Sequence, residues 1–394
     1  MQDAYIVTSV RTPGCRRAKG AFKDTRPEDL LSFILTAAVE QTPGLEKDQV
    51  EDVMIGCSFP EAEQGLNIGR IVTQMAGFPE SVSGATVNRF CASGLEAVAM
   101  AGLRVMSGWS DIVIGGGVES MTYVPMGGNL PRPHPTWTQS RAGYYVSMGI
   151  TAENVANRYN VSRSDQDAFA LASHQKAAAA RKEGRFTEIV PTPAVSYKQL
   201  PDGRYKQESF VQAVDDGIRE DANLEALAKL PPVFAQKGSV TAGNSSQTTD
   251  GAAAAILMSA AKIKAMGVKP LAKLVTYTTV GCKADEMGVG PVYAIRKLME
   301  MTGKKLSDIG LFEINEAFAS QALYSIRELG LEDRMDDINI NGGAIALGHP
   351  LGCTGAKLCA TLLANMQARG AGYGVESMCV GGGMGAAALF ELCD

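Results

Sequence analysis

The sequence has no CxxC pair, no GxGxxG fingerprint and no GxxxxGK[ST] loop. Each absence closes a class. Eight cysteines spread over 394 residues without paired spacing point neither to a zinc module nor to a disulfide framework. The glycine runs Gly115-Gly116-Gly117 and Gly381-Gly382-Gly383 lack the spacing of a dinucleotide or phosphate cradle. There is no apolar run of about 18 residues, so no membrane span is expected. A cationic surplus is missing too: the net charge is -5, which argues against nucleic acid as a partner. The opening Met1-Gln2-Asp3-Ala4-Tyr5 has no basic region followed by an apolar stretch, and Glu391-Leu392-Cys393-Asp394 is not a peroxisomal tripeptide. The expectation is a cytoplasmic protein. Histidine is scarce at three, and His349 with Cys353 finds no third ligand nearby, so no metal is expected.

What the chain does have is apolar mass, 45% of its residues, enough for two to three domains. Short, nearly continuous apolar runs read as strands covered on both faces: Tyr5–Val10, Val53–Ile55, Asp111–Ile114, Ala272–Thr278, Leu311–Ile314 and Ser377–Val380. Helices are expected over Pro27–Gln41, Gly94–Ser107, Val292–Met301, Ala317–Leu329 and Gly355–Gln367, which makes an α/β protein. The two ends of the chain repeat one grammar. Ser93-Gly94 opens a helix that leads to a strand ending in Gly115-Gly116-Gly117, and Thr354-Gly355 opens one that leads to Gly381-Gly382-Gly383. This reads as a duplicated half. Residues 1–118, completed by about 250–268, form the first half; residues 269–394 form the second. Between them 119–249 is a different region of loops and helices, rich in Met, Gly, Pro, Tyr and Arg at its start. It includes an Ala-rich helix over Gln166–Lys182 that Ser164 and Asp167 are expected to cap. Such insertions commonly carry ligand contacts.

The three histidines differ in setting. His174 lies in the Ala-rich helix among polar neighbours and reads as a solvated face, and His134 in a Pro-rich stretch reads as an exposed loop residue. His349, in Gly348-His349-Pro350 just before a helix, reads as positioned. Cys91 follows a strand-like stretch and precedes a helix, where the dipole favours the nucleophilic thiolate. Cys379 ends a strand ahead of three glycines, whose N–H groups can approach a ligand oxygen.

Five segments, in order, resemble the thiolase family: Asn88-Arg89-Phe90-Cys91-Ala92-Ser93-Gly94, Gly116-Gly117-Val118-Glu119-Ser120-Met121, Asn315-Glu316-Ala317-Phe318-Ala319, Asn341 to Gly352, and Cys379 to Gly385. The resemblance covers nearly the whole chain. It implies a duplicated five-layer α/β/α/β/α core with an inserted loop domain that holds CoA. It implies Cys91 as the acylated nucleophile, His349 as the acceptor of its proton, and Cys379 as the acid/base toward the departing enolate and incoming CoA. Asn315 is then expected to fix a water in an enolate hole with His349. The N–H groups of Cys91 and Gly381 would form a second hole. Arg219 would lie beside the adenine and Ser246 beside the pantetheine, with CoA a co-substrate and no group bound permanently.

One departure matters. Acetoacetyl-CoA thiolases usually carry His-Met-Gly where this chain has Ser147-Met148-Gly149. The chain therefore looks more like the 3-ketoacyl-CoA thiolases of fatty-acid breakdown, with acetoacetyl-CoA thiolase the alternative. A ketoacyl synthase or a non-catalytic acyl-CoA-binding relative is more distant, because Cys91, His349 and Cys379 are all present. By the same resemblance a homodimer or homotetramer is expected, with room for a hydratase/dehydrogenase partner.

Overall fold

The computed structural model describes residues 2–393. Its first half runs through β1 (Ala4–Arg11), α1 (Pro27–Glu40), β2 (Asp52–Gly56), α2 (Ile68–Met75), β3 (Ser83–Val87), α3 (Ser93–Met106) and β4 (Ile112–Ser120). The insertion contributes α4 (Met148–Arg158), α5 (Arg163–Lys182) and a hairpin of β5 (Thr192–Gln199) and β6 (Tyr205–Gln212). Then β7 (Thr249–Ser259) returns to the first half. The second half holds β8 (Ala272–Gly281), α6 (Gly290–Thr302), β9 (Leu311–Ile314), α7 (Ala319–Glu328), α8 (Thr354–Arg369), β10 (Tyr373–Val380) and β11 (Met384–Leu392).

The strand order shows the duplication. In the first half β3, β2 and β4 are parallel neighbours, and β4–β7–β1 continue antiparallel. In the second, β9 and β10 are parallel, and β10–β11–β8 continue antiparallel; a parallel bridge from Phe312 to Ile338 stands where β3 stands in the first. The halves join where β1 meets β8, through Tyr5↔Lys273 and Ile6↔Ala272.

Three helix layers sandwich these strands. Leu30, Leu31, Ile34 and Leu35 of α1, with Val72 of α2, pack on Ile55 and Ile256. On the far side Val292, Ile295 and Leu298 of α6, with Ile326 of α7, pack on Phe312 and Leu389. Between the halves lie α3 and α8, whose Leu95, Val98, Leu358 and Leu362 pack on Leu257, Leu274 and Phe390. Both faces of each half-sheet are thus covered, which is why the strands read as continuous apolar runs.

The two middle helices cross closely at their first turns. A Cβ on Gly355 would sit 2.2 Å from the Leu95 nitrogen, and one on Gly94 would sit 2.7 Å from the Ala356 nitrogen. These two glycines occupy matching positions in the two halves, so each half supplies the gap the other fills.

Several expectations change. Gly115-Gly116-Gly117 does not end a strand; β4 runs on to Ser120, and the glycines are there because a Cβ at 115 would meet the Val98 Cα at 2.6 Å. The Ala-rich run at the heart of β7 carries no β-branched signal, and its strand form is set by partners on both sides. The helix α5 starts at Arg163 and is capped by Ser162, whose side chain accepts the Asp165 N–H, while Asp167 pairs instead with Arg163. The helix expected from Ala317 begins at Ala319. The β5–β6 hairpin in the insertion carries no clear alternation and was not expected.

Candidate active site

Cys91 sits on a sharp strand-to-helix turn. Between β3 and α3 the chain passes through Phe90 at φ +43°, a left-handed conformation that costs a bulky residue about 1–3 kcal/mol. Local bonds hold it there: the Asn88 side chain accepts the Phe90 N–H at 2.8 Å, and Ser93 Oγ donates to the Phe90 carbonyl at 2.6 Å. The turn aims the Cys91 sulfur at the backbone N–H groups of Gly381 and of Cys91 itself. Those two donors favour the thiolate, yet burial outweighs them and pushes the Cys91 thiol up to about 11. The expectation from the helix dipole alone is therefore reversed. At neutral pH Cys91 is a thiol, and it needs a base.

His349 lines the same cavity as Cys91. Gly348 reaches φ +83°, where a Cβ would press on the Thr249 side chain at 2.3 Å. This bend lets the His349 N–H donate to the Gln247 carbonyl at 3.0 Å. The His349 Nδ1 lies 2.5 Å from Thr354 Oγ1, and that hydroxyl spends its own proton on the Pro350 carbonyl at 2.9 Å. Thr354 can thus only accept from the ring, which puts the proton on Nδ1 and leaves the lone pair on Nε2. Asn315 Nδ2 donates to that Nε2 across 3.3 Å. Burial, aided by the nearby Lys357 charge, drives His349 down to about 3, so the imidazole stays neutral.

Asn315 is placed by its backbone N–H, which donates to Ser377 on β10 at 2.9 Å. Its Oδ1 is buried without a hydrogen-bond partner. Cys379, at the end of β10, is fully buried among Met287, Ala317 and Phe318. Burial raises its thiol well above the ordinary range, and the neighbouring Cys91 raises it further. Past it the chain turns back through Gly382 and Gly383, both at positive φ.

Cys91 and His349 open on one cavity of about 100 Å³, with Ser246, Gln247 and Phe318 in its wall. Four methionines, Met121, Met126, Met148 and Met287, make much of the remaining lining. Thioether side chains adapt to ligands of varied shape. Ser147 is exposed and does not line this cavity; its neighbour Met148 does.

A second cavity, of about 140 Å³, is bounded by Arg219, His174, Leu227 and Leu230, and shares Gln247 with the first. Arg219 is exposed at its rim. His174 is not on a solvated face. It is 4% exposed and its Nδ1 accepts the Arg219 N–H at 3.2 Å, because α5 packs under the 215–223 loop. Burial, then the Arg219 charge, lowers it to about 4. His134 is exposed as expected, and its ring caps a short helix by accepting the Trp137 N–H. The segment between the cavities is tied to the catalytic loops by bridges Ser245↔Phe318 and Thr248↔His349.

The structure thus brings Cys91, His349, Asn315, Cys379 and Gly381 together, with Ser246 in the same wall and Arg219 in the adjoining cavity. A buried thiol facing two N–H donors, beside a neutral imidazole of fixed tautomer, is equipped for acyl transfer through a covalent intermediate. Sequence reasoning passed over Thr354, Gln247 and the four methionines. Thr354 left a signal as the residue opening the helix after His349, and Met121 and Met148 stand within the motifs quoted above.

Comparison with known proteins agrees. The family model described as "Thiolase, N-terminal domain" matches residues 4–261, and that described as "Thiolase, C-terminal domain" matches residues 268–392. A "3-ketoacyl-CoA thiolase" of Bacillus subtilis (strain 168) is 48% identical over 394 residues, covering the whole of both chains. A peroxisomal "3-ketoacyl-CoA thiolase B" of Mus musculus is 45% identical, over 99% of this chain and 91% of the relative. Among solved structures, the Bacillus anthracis acetyl-CoA acetyltransferase is similar with a TM-score of 0.90 and 37% identity, covering 100% of this chain and 99% of the other.

Proposed function

The chain belongs to the thiolase family, and on that premise we propose that it cleaves 3-ketoacyl-CoA with CoA, giving acetyl-CoA and an acyl-CoA shortened by two carbons. The observation that carries this is the Cys91 sulfur set against the N–H groups of Cys91 and Gly381, on the same cavity as a neutral His349. Nε2 of His349 takes the Cys91 proton as the sulfur attacks the 3-keto carbon. The oxygen that becomes negative is held by the two N–H groups. The C2–C3 bond then breaks, the acyl group stays on Cys91, and acetyl-CoA leaves as an enolate. A water fixed by Asn315 completes, with His349, the hole that stabilises that enolate, and Cys379 supplies its proton. In the second half-reaction Cys379 takes the proton of incoming CoA, whose sulfur displaces the acyl group from Cys91, and His349 returns its proton to the Cys91 sulfur. Splitting the transfer into two steps makes the kinetics ping-pong.

CoA enters as a co-substrate, with its adenine end toward Arg219 and His174 and its pantetheine arm past Ser246 and Gln247. That the two cavities share Gln247 in their walls supports this path. The names of the relatives support the 3-ketoacyl rather than the acetyl-transfer reading, and a role in fatty-acid β-oxidation follows from that chemistry. We place the protein in the cytoplasm, since the Bacillus subtilis relative, unlike the Mus musculus one, is not named as peroxisomal. No helix among the described residues is long and apolar enough to cross a membrane. A homo-oligomer is supported by β3, a strand paired on one side only, next to exposed Leu66, Ile71 and Met75. A hydratase/dehydrogenase is the kind of partner that would supply its substrate.

Thiolysis rates with C4 to C16 3-ketoacyl-CoA, read together with intact-mass detection of an acyl group on Cys91, test this proposal. Turnover beyond C4 and an adduct lost in Cys91→Ala are expected. Strict C4 preference would move the assignment to acetoacetyl-CoA, and absence of any adduct would remove the covalent mechanism.

A further inference from the structure

Beneath the Cys91 turn lies a buried carboxylate that the reaction steps above do not use. Glu119, at the end of β4, is fully buried and gathers donors from two segments far apart in sequence. Its Oε2 accepts the Ser58 N–H at 2.8 Å and the Gly352 N–H at 2.7 Å. Its Oε1 accepts Gln64 Nε2 at 2.7 Å and the Phe59 N–H at 3.4 Å. Gln64 cannot turn its amide around, because its own oxygen accepts the Ser120 N–H. Apart from the weakly bonding Cys57 thiol, 3.9 Å from Oε1, each of these partners is a fixed donor. Such a set is satisfied by an acceptor-only anion and by neither an amide nor a protonated acid.

The two segments lead straight to the reacting residues. Ser58 Oγ donates to the Phe90 carbonyl at 2.8 Å, and the Ser58 carbonyl accepts Asn88 Nδ2 at 2.9 Å; these are contacts that hold the Phe90–Cys91 turn. Gly352 lies three residues after His349, on the loop whose Pro350 carbonyl engages Thr354. There is no slack between the segments: a Cβ on Gly352 would lie 2.6 Å from the Cys57 Cα and 2.7 Å from Glu119 Oε2.

We infer that Glu119 is a positioning residue, an anionic clamp that holds the nucleophile turn and the base loop in register so that Cys91 and His349 act as one unit. The inference rests on the thiolase reading of Cys91. It separates two effects of the same charge. Glu119 stands close enough to Cys91 to oppose its thiolate, so the charge by itself works against nucleophile activation. Its retention in the core is accounted for by geometry, and replacing it with a neutral isostere sets relief of that charge against loss of registration.

The test uses the full-length protein in rapid-quench acylation by a 3-ketoacyl-CoA. For Glu119→Gln, first-turnover acylation of Cys91 is expected to slow by about 10–100-fold, the range for removing a group that orients reacting residues. The KM for the thioester should move less than about threefold, because the clamp does not touch the CoA path. Iodoacetamide alkylation of Cys91 supplies the readout that simple destabilisation would not produce. Adding His349→Ala to Glu119→Gln should slow alkylation no further than the worse single change, since the two residues work through one contact. Ser58→Ala, a smaller disturbance, is expected to slow acylation about three- to tenfold and decides the matter if Glu119→Gln does not fold. If wild type acylates but Glu119→Gln, or Ser58→Ala in its stead, acylates within about twofold of it, or if the effects of Glu119→Gln and His349→Ala multiply, the clamp is refuted. If wild type itself forms no acyl-Cys91, the thiolase reading falls and the clamp with it.

Discussion

Asn315 and His349 face each other across 3.3 Å, side-chain amide to Nε2, on the loops that follow β9 and precede α8. Because Thr354 fixes the ring proton on Nδ1, Asn315 can only donate here. Its amide orientation follows, and Oδ1 is left as a buried acceptor without a partner. One threonine thus sets the polarity of a chain of three side chains.

Asn315→Ala removes the donor to Nε2 and the second polar atom of the enolate site. Loss of one such donor costs about 2.7–4 kcal/mol of transition-state stabilisation, or roughly 10²–10³ in kcat. Steady-state kinetics should show that fall with little change in KM. The enolate forms as the C2–C3 bond breaks, so single-turnover acylation of Cys91 by a 3-ketoacyl-CoA should slow with it. Acylation at the wild-type rate would place Asn315 outside this step.

Thr354→Val keeps the shape and deletes the acceptor for Nδ1–H. The imidazole is then free to change tautomer, leaving a buried donor unpaired, and the base is misdirected for part of the time. Acylation of Cys91 is expected to slow about tenfold or more. Thr354→Ser, which keeps the hydroxyl, should recover most of the rate; failure of that rescue would mean that packing rather than the hydrogen bond matters.

His174 gives a prediction for pH and stability. Its folded value, about 4, lies below the ordinary imidazole value of ~6.5 because burial disfavours the charged ring. Below pH ~6.5 the unfolded chain takes up a proton that the folded protein refuses. Its contribution is therefore fully present above that pH and is lost as the pH falls toward about 4. His174→Asn keeps an acceptor for the Arg219 N–H and does not titrate. Urea unfolding at pH 7 and pH 5 should show wild type losing about 2 kcal/mol more than the variant over this interval. Equal losses would show that His174 is free to protonate in the fold.

How far the sequence carried these conclusions depended on the range of the determining contact. The α/β class and the duplication were legible, since apolar runs and helix periods are local. Cys91, His349, Cys379, Asn315 and Gly381 were legible through motifs. The orientation of His349 was not, because it turns on whether Thr354 gives or receives a proton. Glu119 was visible only as a letter in a motif; its bond to Gly352 spans 233 residues. His174 was misread because the polar neighbours that suggested a solvated face include Ser173, itself buried and bonded to Glu316. The thiolate at Cys91 was misjudged for a related reason. A helix N-terminus can be read from sequence, whereas the depth at which it is buried cannot.

The glycines at the crossing of α3 and α8 join fold to chemistry most directly. Cys91 and His349 stand just ahead of these two helices, so the crossing sets the separation of nucleophile and base. Gly355→Ala brings a methyl group to within 2.2 Å of the Leu95 backbone, a contact that only helix displacement relieves. Overpacking of this kind costs about 1–3 kcal/mol, and against rigid backbone the upper end applies. Because the displacement parts the two first turns, Cys91 acylation should also slow, by about tenfold or more, even at temperatures where the variant is fully folded. Gly94→Ala, at the matching position with a contact of 2.7 Å, should act in the same direction and more mildly. Gly372→Ala is the control: it has open space around it and no positive φ, so both stability and acylation should stay near wild type. Thermal melts and rapid-quench acylation on the three variants measure the two effects separately. A Gly355→Ala protein that melts early yet acylates at the wild-type rate when folded would show that the crossing supports the fold without setting the site.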